Sequence, residues 1–279
     1  MIYLCAISNV SSGSCSEDCS FCTQSARFSA DIETYRHKSV DEVVKEAQVA
    51  RVNRAVGFCL VTAGKGMTDA KLEYICKIAS AVKKVEPDFN LIACNGTASI
   101  EQLKELKKHG IKSYNHNLET SENYYRQICT THLWQDRYQT CLNTKEAGLK
   151  LCSGGIFGMG ESQKDREEFV SSLASLAPNT VAINFFHPNS ALPILSNSLS
   201  VDEALDMIRY VKKELSSCKK IMIAGGREQM FGSRVGEIFE AGANTIVIGD
   251  YLTTSGDEPG KDLKLIESLG LKLAEKCDG

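Results

Sequence analysis

The stretch GSCSEDCSFCTQ, residues 13–24, places Cys15, Cys19 and Cys22 in one short loop. A disulfide uses two thiols, and a closed structural zinc site takes four N or S ligands. Three thiolates suit three corners of a cubane 4Fe–4S cluster, whose usual complement is four cysteines. The fourth iron then stays open to a chelating ligand. Zinc is the alternative. It would need a fourth Cys or His, and Cys5 and His37 are the nearby choices.

The rest of the chain sets bounds on that chemistry. It has 279 residues, 43% of them hydrophobic and 24% charged, enough for one α/β barrel or two smaller domains. A net charge of −3 gives no reason to expect nucleic acid or another polyanion as partner. The start, MIYLCAISNV, has neither the basic region nor the long apolar run of a signal peptide. No apolar run is long enough to span a bilayer. A cytoplasmic protein is expected. In that reducing setting twelve cysteines argue for metal or catalysis before disulfides, although most of them can be small buried hydrophobes.

Something must position the thiols. Short apolar runs at 2–7, 56–62, 90–94, 111–117, 149–156, 181–186, 220–225 and 244–249 read as strands. Between them, Ser39 with Glu42, Ser99 with Gln102 and Ser200 with Glu203 have capping-box spacing, and Thr68 and Ser162 are further N-cap residues. Gly110, Gly148 and Gly242 stand where a helix should end before the next strand. A last helix is expected over about 261–276. Strand and helix alternate eight times without a Pro/Gly-rich linker, which predicts a single-domain (β/α)8 TIM-type barrel, with a doubly wound open sheet as the competitor. Active sites of such barrels lie at the C-terminal ends of the strands. The 15–22 loop directly follows the first strand. Cys59, Cys94 and Cys152 fall in or at the end of the second, third and fifth strands, so strand alternation allows them to converge on one lumen.

The loop's Cx3CxΦC pattern, with Phe21 as the aromatic, resembles the signature of the radical S-adenosylmethionine enzymes. GGIFGMGE at 154–161 fits their GxIxGxxE pattern. YNHNLET at 114–120, CSGGIFGMGE at 152–161, AGGREQM at 224–230 and LTT at 252–254, together with Cys59, Cys94 and Cys152, narrow the resemblance to the biotin synthase family. The resemblance implies a 4Fe–4S cluster on Cys15, Cys19 and Cys22 with S-adenosylmethionine on its open iron. Reductive cleavage there would give a 5′-deoxyadenosyl radical. It also implies an auxiliary iron–sulfur cluster on Cys59, Cys94 and Cys152, 2Fe–2S or larger, as the donor of the sulfur inserted into dethiobiotin to form biotin. Phe21, Asn117, Glu119, Arg137, Gly154, Ile156 and Gly158 are expected around S-adenosylmethionine, with Arg137 pairing its carboxylate. The ureido ring of dethiobiotin calls for amide donors and acceptors, which Asn115, Asn117 and Asn184 offer. The structural alternative for Asn117 and Asn184 is turn or strand-end hydrogen bonding, and for Arg137 a solvated helix charge. His116 reads as a packed, hydrogen-bonded histidine. An electron donor such as flavodoxin or ferredoxin and a homodimer are family expectations.

Some positions depart from the family pattern. Gly57 stands where many relatives have arginine. Met222 stands where many have the arginine that completes the auxiliary ligand set, and Arg227 matches a second arginine. The first strand opens the chain, without the helical extension common in relatives. Cys76 continues an apolar helical stripe with Leu72 and Ile75. Cys5 lies in the first strand, expected too low to join a cluster, and nothing points Cys129, Cys141, Cys218 or Cys277 to chemistry. Two rival readings are another cofactor-maturing radical S-adenosylmethionine enzyme and a non-catalytic zinc protein.

Overall fold

A computed structural model describes residues 1–195 and 199–277. Its eight strands are β1 (Tyr3–Ser11), β2 (Gly57–Thr62), β3 (Asn90–Cys94), β4 (Ile111–Asn115), β5 (Lys150–Phe157), β6 (Thr180–Phe185), β7 (Lys220–Ile223) and β8 (Thr245–Val247). They are all parallel and close in chain order, with β8 pairing β1. The predicted barrel is therefore the observed fold, and the open sheet is excluded.

The helices form where the caps predict. Helices α1 (Val40–Val52), α3 (Ile100–Lys108) and α7 (Val201–Glu214) start at Ser39, Ser99 and Ser200 with full capping boxes. Thr68 caps α2 (Asp69–Val85), and Ser162 with Asp165 makes a further box on α6 (Gln163–Leu176). Each satisfied cap removes orphan N–H groups that would otherwise fray the first turn. At Gly110 φ is +96°, a left-handed turn that glycine makes without steric cost as α3 hands over to β4.

Several boundaries differ from the sequence reading. Strand β1 runs on to Ser11, and β4 stops at Asn115, two residues short of the predicted 117. From His116 the chain runs irregularly beside β5, His116 N donating to Cys152 O at 3.0 Å and Leu118 N to Gly154 O at 2.9 Å, and turns at Glu119, whose φ is +72°. Two helices, α4 (Glu122–Ile128) and α5 (Trp134–Glu146), join β4 to β5. Helix α8 (Arg227–Phe231), a 3-10 turn (Gly232–Arg234) and α9 (Glu237–Glu240) join β7 to β8. The final helix, α10, is Pro259–Ser268 rather than 261–276; Pro259 sets its start and Gly270, at φ +66°, follows its end. Among the described residues, no helix is long and apolar enough to cross a membrane.

Alternation sorts the strands into two faces. Leu4, Phe58, Leu60, Leu91, Ile221, Ile223 and Ile246 are buried in the main hydrophobic core. The other face lines the lumen, where register sets Ile7 beside Cys59, Cys59 beside Ile92, and Asn115 beside Cys152. Met222, between Ile221 and Ile223, lines the small cavity at the barrel floor, as its motif position predicts.

Arg227 has a structural task. Its guanidinium donates from Nη1 and Nη2 to the two carboxylate oxygens of Asp262 at 2.6 and 2.8 Å, with both residues buried. The pair ties the turn after β7 to α10. Removing one partner of a buried pair strands the other charge. Arg227→Met is expected to lower unfolding free energy by about 3–5 kcal/mol, read from denaturant melts. Adding Asp262→Leu should restore most of the loss.

Candidate active site

The loop after β1 carries the three clustered cysteines at the mouth of the barrel. It folds back on itself: Cys15 N donates to Gln24 O at 3.1 Å, Ala26 N to Cys15 O at 2.8 Å, and Cys22 N to Cys19 O at 3.0 Å. The segment between α4 and α5 clamps it from outside. Asp18 Oδ1 accepts from Thr130 N, Thr131 N and Thr131 Oγ1 at 2.9, 3.2 and 3.0 Å, and Thr130 Oγ1 donates to the other carboxylate oxygen. Burial works against the Asp18 charge, but the Thr130 and Thr131 donors outweigh it and hold its carboxyl well below the usual carboxylate range. Ser20 N adds a bond to Ile128 O at 2.8 Å.

One cavity of about 370 Å³ opens beneath this loop. It is lined by Cys15, Cys19, Phe21 and Cys22 from the loop, Cys94 from β3, Asn115 from β4, Asn117, Glu119 and Arg137 from the β4–β5 connection, Ile156 from β5 and Asn184 from β6. Asn117 reaches it from the irregular segment past β4, so the two asparagines meet there without sharing a strand face. Cys152 lies lower, at the small floor cavity with Met222. Cys59 is buried between the levels, its strand neighbours being Ile7 and Ile92. A wider groove of about 660 Å³ lies elsewhere, between α1 and the segment after β8, and holds none of the predicted site residues.

Arg137 is a buried wall residue, not a solvated helix charge. Its Nε donates to Tyr125 Oη at 2.6 Å, and its Nη1 to Asn117 O at 3.0 Å and Glu119 Oε1 at 3.3 Å. Burial opposes its charge, but Glu119 and Tyr125 outweigh that and raise its pKa. Glu119 is pushed toward its neutral form: burial raises its carboxyl pKa as well, with Arg137 opposing. The strand-five glycines have a steric cause. A Cβ on Gly154 would stand 1.8 Å from Ala182 O, and one on Gly155 2.3 Å from Glu119 O. They let β6 and the 114–120 segment close on β5, from which Ile156 N donates to Glu119 O at 2.8 Å. Gly158, at φ +93°, donates its N–H to Glu161 Oε1 at 2.9 Å, and Met159 N to Glu161 Oε2 at 2.7 Å. The motif's glutamate therefore braces its own turn.

Asn184 is committed to the barrel: Oδ1 accepts from Gly225 N at 2.9 Å and Nδ2 donates to Gly155 O at 3.1 Å, tying β5 to the segment after β7. By contrast Asn115 Oδ1, Asn117 Oδ1 and His116 Nε2 are buried with no hydrogen-bond partner. His116 is packed, as expected, but its Nε2 does not find the hydrogen bond expected of it. Orphaned buried polar atoms are costly, and here they belong to residues that line the cavity, as suits a site for a polar ligand.

The thiols fit iron. All the cysteines are free. Burial pushes Cys22 up to about 11 and Cys59 well above its ordinary value, with Cys94, Cys152 and Cys5 adding to the latter. Such thiols ionise readily only when a bound cation compensates. Neither sequence candidate for a fourth zinc ligand joins the loop: His37 packs on Tyr74 at 4.5 Å, and Cys5 lines the floor. Sequence reasoning did miss Cys129 and His132. Cys129 Sγ lies 3.7 Å from Cys19 Sγ and 3.3 Å from His132 Nδ1, which also meets Glu17 Oε2 at 2.8 Å. Cys129 is distant in sequence from the loop, and no spacing pattern links them.

Comparison with known proteins bears on this arrangement. The Radical SAM superfamily model matches residues 9–173, and the Biotin and Thiamin Synthesis associated domain matches 182–272. Biotin synthase of Aliarcobacter butzleri is 57% identical, over 99% of this chain and 98% of its own length. Biotin synthase of Campylobacter jejuni is 56% identical, over 99% of both. Among solved structures, the hydrogenase maturase HydG of Carboxydothermus hydrogenoformans has a TM-score of 0.85 at 17% identity, covering 100% of this chain and 68% of its own. Methylornithine synthase has a TM-score of 0.81 at 17% identity, covering 98% and 83%. These two share the fold alone.

Proposed function

The chain belongs to the biotin synthase family, and we propose that it converts dethiobiotin to biotin inside one barrel, with no separate second domain. The observation that supports this reading most directly is the single cavity shared by Cys15, Cys19 and Cys22 with Cys94 and Asn115. When bound, a 4Fe–4S cluster and S-adenosylmethionine supply a one-electron C–S cleavage whose product takes hydrogen from unactivated carbon, and an auxiliary cluster supplies sulfur.

The residues divide the work. Cys15, Cys19 and Cys22 hold the first cluster, and Cys59, Cys94 and Cys152 the second. Arg137 offers a guanidinium to the S-adenosylmethionine carboxylate, and Asn117 and Glu119 meet its ribose. Phe21 and Ile156 present apolar surface and exclude water, while Gly154 and Gly158 let the strand-five backbone approach. Asn115 reads the ureido ring of dethiobiotin. Electrons come from a flavodoxin or ferredoxin, and the protein works as a cytoplasmic homodimer.

Anaerobic turnover with dethiobiotin, S-adenosylmethionine and a strong reductant tests the proposal. Biotin and 5′-deoxyadenosine should appear together; 5′-deoxyadenosine without biotin would favour another radical S-adenosylmethionine reaction. The two asparagines should then separate. Asn115→Ala removes a free acceptor and should weaken dethiobiotin binding by roughly 1–3 kcal/mol, about 5- to 150-fold, more than it weakens S-adenosylmethionine. Asn184→Ala should lower the melting temperature as well, because both ends of its amide hold backbone. Equal losses for both ligands in Asn115→Ala would remove it from ureido recognition.

A further inference from the structure

We propose that Cys5 is the fourth thiolate of the auxiliary cluster, completing a four-cysteine set with Cys59, Cys94 and Cys152. The inference rests on the reading of those three residues given above. Both 2Fe–2S and 4Fe–4S clusters are ordinarily held by four cysteines. The three already assigned come from β2, β3 and β5. Strand β1 adjoins β2, and its register sets Cys5 opposite Gly57 and Ile7 opposite Cys59. Cys5 is thus two residues below Cys59 on the neighbouring strand, and alternate residues share a face.

The Cys5 sulfur leans over β2. A Cβ on Gly57 would stand 2.6 Å from Cys5 Sγ, so no side chain fits at position 57 while the thiol keeps this place. Glycine here and cysteine at position 5 are one arrangement. Cys5 also lines the floor cavity of about 40 Å³ with Cys152 and Met222.

Other residues near the floor serve less well. Met222 offers a neutral thioether, a weak partner for iron beside thiolates. Cys277 accepts from Lys220 Nζ at 3.2 Å, Cys218 donates to Lys220 O at 3.4 Å, and Cys141 donates to His116 O at 3.2 Å from α5. Four thiolates carry more negative charge than three, and neither Gly57 nor Met222 brings a compensating positive charge. Lys220 does bring charge. It is buried, lies 4.7 Å from the Tyr3 ring centre and lines the same floor cavity as Cys5. On loading, the Cys5 S–H proton leaves to solvent, an S–Fe bond forms, and no electron is transferred.

The test uses the full chain with Cys15, Cys19 and Cys22 all changed to alanine, so that only the auxiliary site takes up iron. This parent, its Cys5→Ala and Cys5→Ser variants, and a Cys94→Ala control are loaded anaerobically with iron and sulfide. Iron and sulfide are counted per chain, and Mössbauer and visible spectra recorded. The parent should show all-thiolate iron, with the count fixing whether the cluster has two irons or more. Cys5→Ala should lose at least half of that iron, as Cys94→Ala does. Cys5→Ser, close in shape and so a guard against simple misfolding, should retain iron with one altered Mössbauer site. Unchanged iron and unchanged spectra in both Cys5 variants would overturn the proposal while leaving the three-cysteine reading intact. A parent that takes up no iron would overturn that reading and the proposal with it.

Discussion

Alanine at Cys15, Cys19 or Cys22 is expected to abolish reductive cleavage of S-adenosylmethionine, with 5′-deoxyadenosine falling to background under strong reductant. On the proposed assignment each thiolate is one corner ligand, and a three-ligand cluster has none to spare. The loop itself should survive the change, because the Asp18 carboxylate stays bonded to Thr130 and Thr131 and Ser20 N stays on Ile128 O. Circular dichroism and melting temperature should therefore stay near the parent values. Cys76→Ala, in the packed face of α2, should keep activity and serves as the control. Cys129 makes the experiment sharper. It lies beside Cys19, and Cys19, Cys129 and His132 bring their ligand atoms within 4.8 Å of one another, close enough for a single metal ion. If Cys129→Ala and His132→Ala lose iron while Cys15→Ala and Cys22→Ala keep it, the site is that compact ion site and the loop assignment is wrong.

Local rules made the barrel legible in the sequence. Ser39, Ser99, Ser162 and Ser200 announce helix starts because a side-chain oxygen and an acid or amide three residues on satisfy orphan N–H groups, a contact encoded within four residues. The strand ends were less legible. Asn115 and Asn117 look like alternate residues of one strand, but the ladder stops at Asn115 because Glu119 must turn to place its carbonyl on β5. That turn depends on Gly155, far along the chain, and no local pattern reports it. Gly148 did announce the end of a helix before β5, but the division of that connection into α4 and α5 carried no local signal. The second of them carries Arg137 into the cavity wall, where its guanidinium finds Tyr125 and Glu119. Pattern matching named Arg137, while periodicity alone would have left it in solvent. Asn184 lines the cavity as expected but also carries a structural task that its type did not announce. Its type suits a ureido ring, yet both ends of its amide are already used by Gly225 and Gly155. Cys129 and His132 carried no signal, because their meeting with Cys19 is made only by the fold.

Alanine at Cys94 is expected to separate two reactions that run together in the parent: 5′-deoxyadenosine should still form, while biotin falls to background. The separation follows from where the two cysteine groups are anchored. Cys15, Cys19 and Cys22 sit on a loop clamped by the α4–α5 segment, whereas Cys59, Cys94 and Cys152 are rungs of β2, β3 and β5. Removing a rung thiol leaves the clamp untouched. Trimming one small buried side chain should cost the fold roughly 1 kcal/mol. Cys94 is the informative member because it lines the large cavity and accepts from Asn115 Nδ2 at 3.3 Å, next to where the substrate is proposed to lie. Cys59→Ala and Cys152→Ala should behave alike, since thiols proposed to hold one cluster should fail together. Cys218→Ala, buried outside the lumen, should leave both products unchanged. Three outcomes divide the readings. Biotin at the parent rate in Cys94→Ala would show that sulfur does not come from this set. Loss of both products in all three variants, with lowered melting temperatures, would make the cysteines packing residues of the barrel wall. Loss of biotin alone, with auxiliary iron gone and 5′-deoxyadenosine retained, is what a sulfur donor held on the barrel strands requires.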